Sequence, residues 1–258
     1  NNPAGTAFIR LSPASGMRGL TINYPEQVYA NLPNVPAYPY AIQATGSDVY
    51  IVNVGLRAAY NGVDLFTSKC DNHYVAGLTG HVFRTAIKVG SGSTGGLIAN
   101  AQFNTIVYAA GAESKWGSWP NSPVGENTRA YDYNFNNLDF LALGNCSGEV
   151  LYNNFIYGAR HGIAFLQDGG SGPSGISLGT GLDGTPNAIS FQGLGAGGFD
   201  LINSQLVTVG DTTYAYIEST PTFTSTVTLF NTDCWGNPGK SLDLGGAGTL
   251  RFQSANFH

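Results

Sequence analysis

Between Tyr40 and Asn104 the chain repeats one pattern three times. Tyr40-Ala41-Ile42-Gln43 leads to Tyr50-Ile51-Val52-Asn53-Val54, Gly62-Val63-Asp64-Leu65 to Tyr74-Val75-Ala76-Gly77-Leu78, and Ala86-Ile87-Lys88-Val89 to Leu97-Ile98-Ala99-Asn100-Ala101. Each copy holds a short alternating apolar run, a Gly/Ser/Thr turn, a second run, an Asn or Gly, and a third short run. The copies begin at Tyr40, Gly62 and Thr85, a period of 22 to 23 residues. A fixed period of this size marks a stacked repeat architecture.

The runs are short, alternate with period two and are rich in Val, Ile, Leu and Phe, which is the pattern of strands. A 3.6-residue period persists nowhere for long, so no helix is expected. Three short strands and three turns need about 20–25 residues, which matches the period. No coil can bury its inner side chains alone; stacking on neighbours does that. The same phrase extends from Ala7-Phe8-Ile9 to Ser241-Leu242-Asp243. The chain therefore reads as an all-β solenoid, a single-stranded parallel β-helix of about nine coils, one domain over 1–258. Two long insertions, 24–39 and 105–137, fall at the same turn. Neither end reads as a cap, which suggests a piece of a longer protein carrying other domains.

Asn53, Asn100, Asn203 and Asn231 share one register with Gly19 and Gly77. Asn and Gly tolerate the left-handed backbone of a sharp bend, and stacked Asn side chains can hydrogen-bond along a column.

Coil length, the Asn-bearing second turn and long insertions at the third turn resemble the right-handed parallel β-helices of the pectin lyase-like superfamily. The likeness is greatest to its carbohydrate-active members: polysaccharide lyases, polygalacturonases and bacterial α-glucanases. The resemblance implies a right-handed coil, with a polysaccharide lying along the outer face of the strand that follows the third turn.

The net charge of −5, with 10% charged residues, argues against a nucleic-acid partner. No apolar run is long enough to suggest a membrane span. Composition and resemblance together point to an extracellular, secreted protein. The three Cys form no framework: Cys70 and Cys146 read as about three repeats apart, too far to bridge, and Cys234 as a small core residue. No metal cluster or cofactor motif is present, although a lyase would leave room for Ca²⁺.

Alternation predicts which side chains face the trough. With Ile42, Val63, Ile87, Phe140 and Ile163 inward, Gln43, Asp64 and Lys88 point outward, one above the next, and Asp139 joins them. Asp64 and Asp139 are then about two coils apart, ~9–10 Å, near the upper end of the carboxylate separation in inverting hydrolysis. They form the expected catalytic pair, with Lys88, Arg84 and His161 orienting substrate. Asp64 and Lys88 read equally as a cross-strand pair on a solvated face. Asp48 and Asp71, one coil apart at the first turn, are a second acidic cluster that could share a proton, or two turn residues bonding their own backbone. His73 and His81 read as structural. The insertions are expected to stand as two aromatic walls, with Tyr24, Tyr38, Trp116, Trp119, Tyr131 and Tyr133 among their rings. Such rings stack on sugar faces or pin loops to a barrel. Gln43, Tyr40, Tyr60, Trp116, Trp119, Tyr131, Tyr133 and Arg160 form the expected substrate-binding set.

These features lead to an extracellular glycoside hydrolase with a polysaccharide ligand. Arg84, Lys88 and Arg160 keep a uronate-specific lyase open, since cations would hold the carboxylate while a base removes the C5 proton. A non-catalytic glycan-binding, adhesive or structural module is the rival from a different class.

Overall fold

The computed structural model describes residues 2–27, 32–105, 124–210 and 212–258. All strand pairings between successive coils are parallel, as between Ile9–Leu11 and Tyr40–Ala44 or between His161–Phe165 and Asn187–Phe191. One sheet has nine strands in sequence order, from Gly16–Arg18 to Thr249–Gln253, one from each coil. The other faces join into a 16-stranded sheet. They do so because Gly55–Leu65 and Thr79–Val89 each run 11 residues straight through the third turn, with register shifts at Ala59. The chain is thus a parallel β-solenoid.

One continuous hydrophobic cluster runs from Leu11 to Cys234. Its central column is Ile42, Val63, Ile87, Leu141, Ile163, Ile189 and Ile217, each in register with the next. The residue aligned with Ile87 is Leu141, not Phe140. Ala86, Phe140, Ala188 and Tyr216, each one residue earlier, are buried as well. Two successive inward residues break the alternation at the mouth of each strand, and this shifts the register of the site. Phe165, Phe191 and Phe223 stack along the interior with centroids 4.8 and 5.0 Å apart.

The Asn column is present and larger than expected. Asn53, Asn100, Asn153, Asn203 and Asn231 all have φ between 47° and 54°, and Gly19, Gly77 and Gly179 hold the same bend in intervening coils. The Asn153 amide donates to Asn100 Oδ1 at 2.8 Å, as Asn231 does to Asn203. A Cβ at Gly77 would strike Asn53 Oδ1, so glycine lets the neighbouring amide lie across the turn. All three Cys are buried free thiols. Cys146 pairs in register with Ser93, whose hydroxyl accepts from Cys70 N. The separation is therefore two coils rather than three, still ~10 Å and beyond disulfide reach.

The expectation of no helix is overturned: Val124–Asn137 is a 14-residue α-helix inside the second insertion. Its period is hidden because one buried position is polar. Ala130, Asn134 and Leu138, at spacing four, are all buried, and Asn134 donates to Val82 O and Thr105 Oγ1. Nor do the two insertions stand apart as walls. Leu32 of the first and Ala130 of the second pack together on Ala58 and Phe83, the outward apolar residues of the two long strands. No helix among the described residues is long and apolar enough to cross a membrane.

Candidate functional site

The helix runs directly into Asp139, and the Leu138 carbonyl accepts N–H bonds from Arg160 and His161 in the next coil. These bonds set the mouths of two adjacent strands edge to edge. Strand register then builds an outward row of Tyr40, Asn61, Thr85, Asp139, His161 and Asn187. A parallel row, three residues further along each strand, holds Arg10, Gln43, Asp64, Lys88, Ala142, Ala164, Ser190, Glu218 and Asp243.

Asp64 and Asp139 therefore lie in different rows, and the expected pair is not formed. The stacking of Gln43, Asp64 and Lys88 is as predicted, but Asp64 is only 2% exposed and closes its own turn. Its oxygens accept from Phe66 N, Thr67 N, Thr67 Oγ1 and Gln43 Nε2 at 2.6–2.9 Å. Lys88 does not pair with it; the ammonium sits 3.7 Å from the centroid of the Phe66 ring.

What the rows do bring together is Asp139, Arg160, His161 and Glu218. Arg160 grips Asp139 with Nε and NH2, at 2.7 Å for the closest contact. His161 Nδ1 lies 2.8 Å from Asp139 Oδ1, and its Nε2 lies 3.2 Å from Glu218 Oε1. One imidazole thus joins two carboxylates across the coils. Burial works to raise the Asp139 pKa, but hydrogen bonds from His161 and Arg160 outweigh it and hold the carboxyl below its usual range. Burial pulls His161 down, yet its bonds to both carboxylates leave it above an ordinary imidazole. The hydrogen bond from His161 holds Glu218 low against burial, helped by Ser190. The Glu218 side chain is 35% exposed and that of Asp139 16%, so both reach solvent.

Tyr40 heads the row and hydrogen-bonds Thr85; burial, then the charges of Asp64 and Asp139, keep its phenol protonated. Arg84 donates to Asn137 Oδ1 at 2.7 Å, fastening the helix end rather than facing the trough. Tyr60 and Tyr133 pack on the cluster that joins the insertions. Tyr131 stacks on Phe135 and Tyr157 and donates to Gly184 O. These three rings pin the helix to the barrel. Trp116 and Trp119 lie outside the described residues.

The second acidic cluster is a pair of turns. Asp71 accepts from Thr94 N and Oγ1 and pairs with Lys69, which lowers its pKa, the reverse of a shared proton. Asp48 accepts from the Asn72 amide. His73 is buried against Cys70 O and Glu149, and His81, buried beside Phe83, is pushed down to about 3 by burial and then by Arg57. Among the described residues no group of three or more His, Cys, Asp or Glu is arranged to hold a metal.

Sequence reasoning missed Glu218. It directly follows inward Ile217 and so occupies the same outward row as Asp64 and Lys88. Counting that row through the eighth coil finds it.

The strand order and register define the class: a parallel β-helix that carries an outward polar row. The A-module of mannuronan C-5 epimerase AlgE6 from Azotobacter vinelandii is similar in structure, with a TM-score of 0.45 and 12% identity over 95% of this chain and 74% of that module. The catalytic domain of a GH87 alpha-1,3-glucanase is similar at a TM-score of 0.35 and 11% identity, over 95% of this chain and 55% of that domain. No protein-family model and no curated sequence matches the chain.

Proposed function

We propose that the chain is a glycoside hydrolase whose polysaccharide lies along the outward rows beside the helix and is cut at Asp139, His161 and Glu218. The observation that carries this reading is the single imidazole holding two solvent-reaching carboxylates on its two nitrogens. Ring width plus two hydrogen bonds puts those carboxylates roughly 7–8 Å apart, within the ~6.5–9.5 Å of inverting enzymes. Asp139, kept ionised by Arg160, takes a proton from the attacking water. Glu218 receives the Nε2 proton of His161 as sugar covers it and passes that proton to the departing glycosidic oxygen. Exchange with solvent then restores both carboxyls and the imidazolium. A polymeric substrate places this work outside the cell, so we include secretion in the proposal.

A lyase is less well supported, because the nearby cations are engaged: Arg160 by Asp139, Arg84 by Asn137, Lys88 by the Phe66 ring. A second reading, a glycan-binding module without turnover, is favoured by one fact. The same contacts tie three coils together and would stabilise the solenoid without any chemistry.

The test is a polysaccharide panel read for reducing ends, for the ultraviolet absorbance of an unsaturated uronate, and by NMR for the anomer first released. Hydrolysis with inversion is expected, with Asp139→Asn and Glu218→Gln each lowering kcat about 10²–10⁴-fold. Turnover surviving both substitutions would discard the assignment. An absorbance signal would replace it by a lyase, and binding without products by the module.

A further inference from the structure

The first insertion leaves and rejoins the solenoid through two tyrosines, Tyr24 and Tyr38, whose rings lie 5.5 Å apart and tilted at 53°. Together with Phe8 and Ile22 they enclose an open cavity of about 220 Å³, with Asn23 and Glu26 as its polar groups. Phe8 is 72% exposed, though its backbone is fixed by a bond from its N–H to Tyr40 O. The insertion is braced at its base. Gln27 N donates to Tyr24 O, and the Gln27 side-chain amide, fully buried, donates to Pro36 O at 2.8 Å. Tyr38 donates to Glu26 Oε2 at 3.4 Å. The rings are therefore held before any ligand arrives.

We infer that this pocket is a remote subsite of the same groove and holds a neutral pyranose of the polysaccharide. The inference rests on the proposed function for the kind of ligand. Aromatic faces with a few polar groups at the rim suit the apolar face and hydroxyl edge of a sugar ring. Glu26 puts a carboxylate at the rim, and among the described residues no cation lines the pocket, so a uronate is repelled. The pocket is continuous with the outward row: Tyr38 leads through Pro39 into Tyr40, the residue at its head. Asp139 lies three strands beyond Tyr40 and four beyond Phe8, ~19 Å from the pocket, the reach of a short oligosaccharide. The pocket thus selects neutral glycans and extends the footprint toward the first coil.

Titration calorimetry on Glu218→Gln protein, which leaves the ligand whole, tests this with gluco-oligosaccharides from the disaccharide upward and with oligogalacturonates. Affinity for the neutral series is expected to rise with length. Phe8→Ala and Tyr24→Ala should each weaken the long oligomers about three- to tenfold while leaving the disaccharide unchanged. Glu26→Gln should narrow the gap between neutral and uronate ligands. Unaltered length dependence in both aromatic variants, a preference for uronates, or no binding of any neutral oligomer overturns the subsite. So does a homodimer that Phe8→Ala dissociates, which would make the pocket a contact between copies. Binding by Glu218→Gln protein without cleavage by the unsubstituted protein removes the hydrolase and keeps the subsite; cleavage of long chains by the unsubstituted protein, indifferent to the pocket variants, does the reverse.

Discussion

His161 helps hold down the pKa of both carboxylates it touches, and its effect has a pH signature. Asp139 and Glu218 titrate below their ordinary values, so their contribution is present above the unfolded carboxylate range and lost as pH falls through the lowered folded values. His161 titrates above its ordinary value, so its contribution is complete below ~6.5 and lost as pH rises through the raised folded value. The interaction is strongest between these limits. Thermal melts across pH should show His161→Asn losing about 1–2 kcal/mol near pH 5–6 and much less in alkali; a pH-independent loss would mean the ring contributes packing alone. Asp64 has a different task. Asp64→Ala leaves two backbone N–H groups and two side-chain donors of a part-buried turn without their acceptor, and urea unfolding should report a loss of about 1–2 kcal/mol. Turnover in the folded fraction of Asp64→Asn should persist, since the carboxylate is engaged in its own turn and lies five strands from Glu218 along their shared row.

At the scale of elements, each coil is closed by a residue in the left-handed region. Asn153 combines that conformation, φ 50°, with a bond to Asn100. Asn153→Gly keeps the bend and loses the bond; Asn153→Ala loses both and should be about 1 kcal/mol less stable than the glycine variant in chemical denaturation. Equal stability of the two would show that the backbone there is unstrained. The helix depends on a polar contact in an apolar setting. Asn134→Ala deprives the buried Val82 carbonyl and Thr105 hydroxyl of their donor. Hydrogen exchange should then show faster opening over 130–137 while the strands stay protected.

Over the whole molecule, each coil touches mainly its neighbours, so stability accumulates by nearest-neighbour contacts. Phe191 sits between Phe165 and Phe223, and Phe191→Ala should cost about 3–5 kcal/mol at that interface. The C-terminal coils are expected to unfold ahead of the rest, splitting the thermal transition. A single cooperative shift would show that the solenoid melts as one unit.

Much of this was legible in the residues because the repeat is short and local. Period, strand content, parallel stacking, the Asn column and the turn that carries both insertions all follow from spacing and alternation, which act within one coil. Asp139 was legible as an outward group for the same reason. Three things needed the tertiary structure. The double inward step, Phe140 with Leu141, moves Asp139 out of Asp64's row, and period-two alternation has no means of showing such a step. The helix hides its buried face behind Asn134, whose burial makes sense only beside Val82 and Thr105. The partner of Asp139 is Glu218, 79 positions further along the chain, and only stacking at the inter-strand spacing brings them to one imidazole. Local pattern determined the solenoid; the register of distant coils decided which of its charges meet.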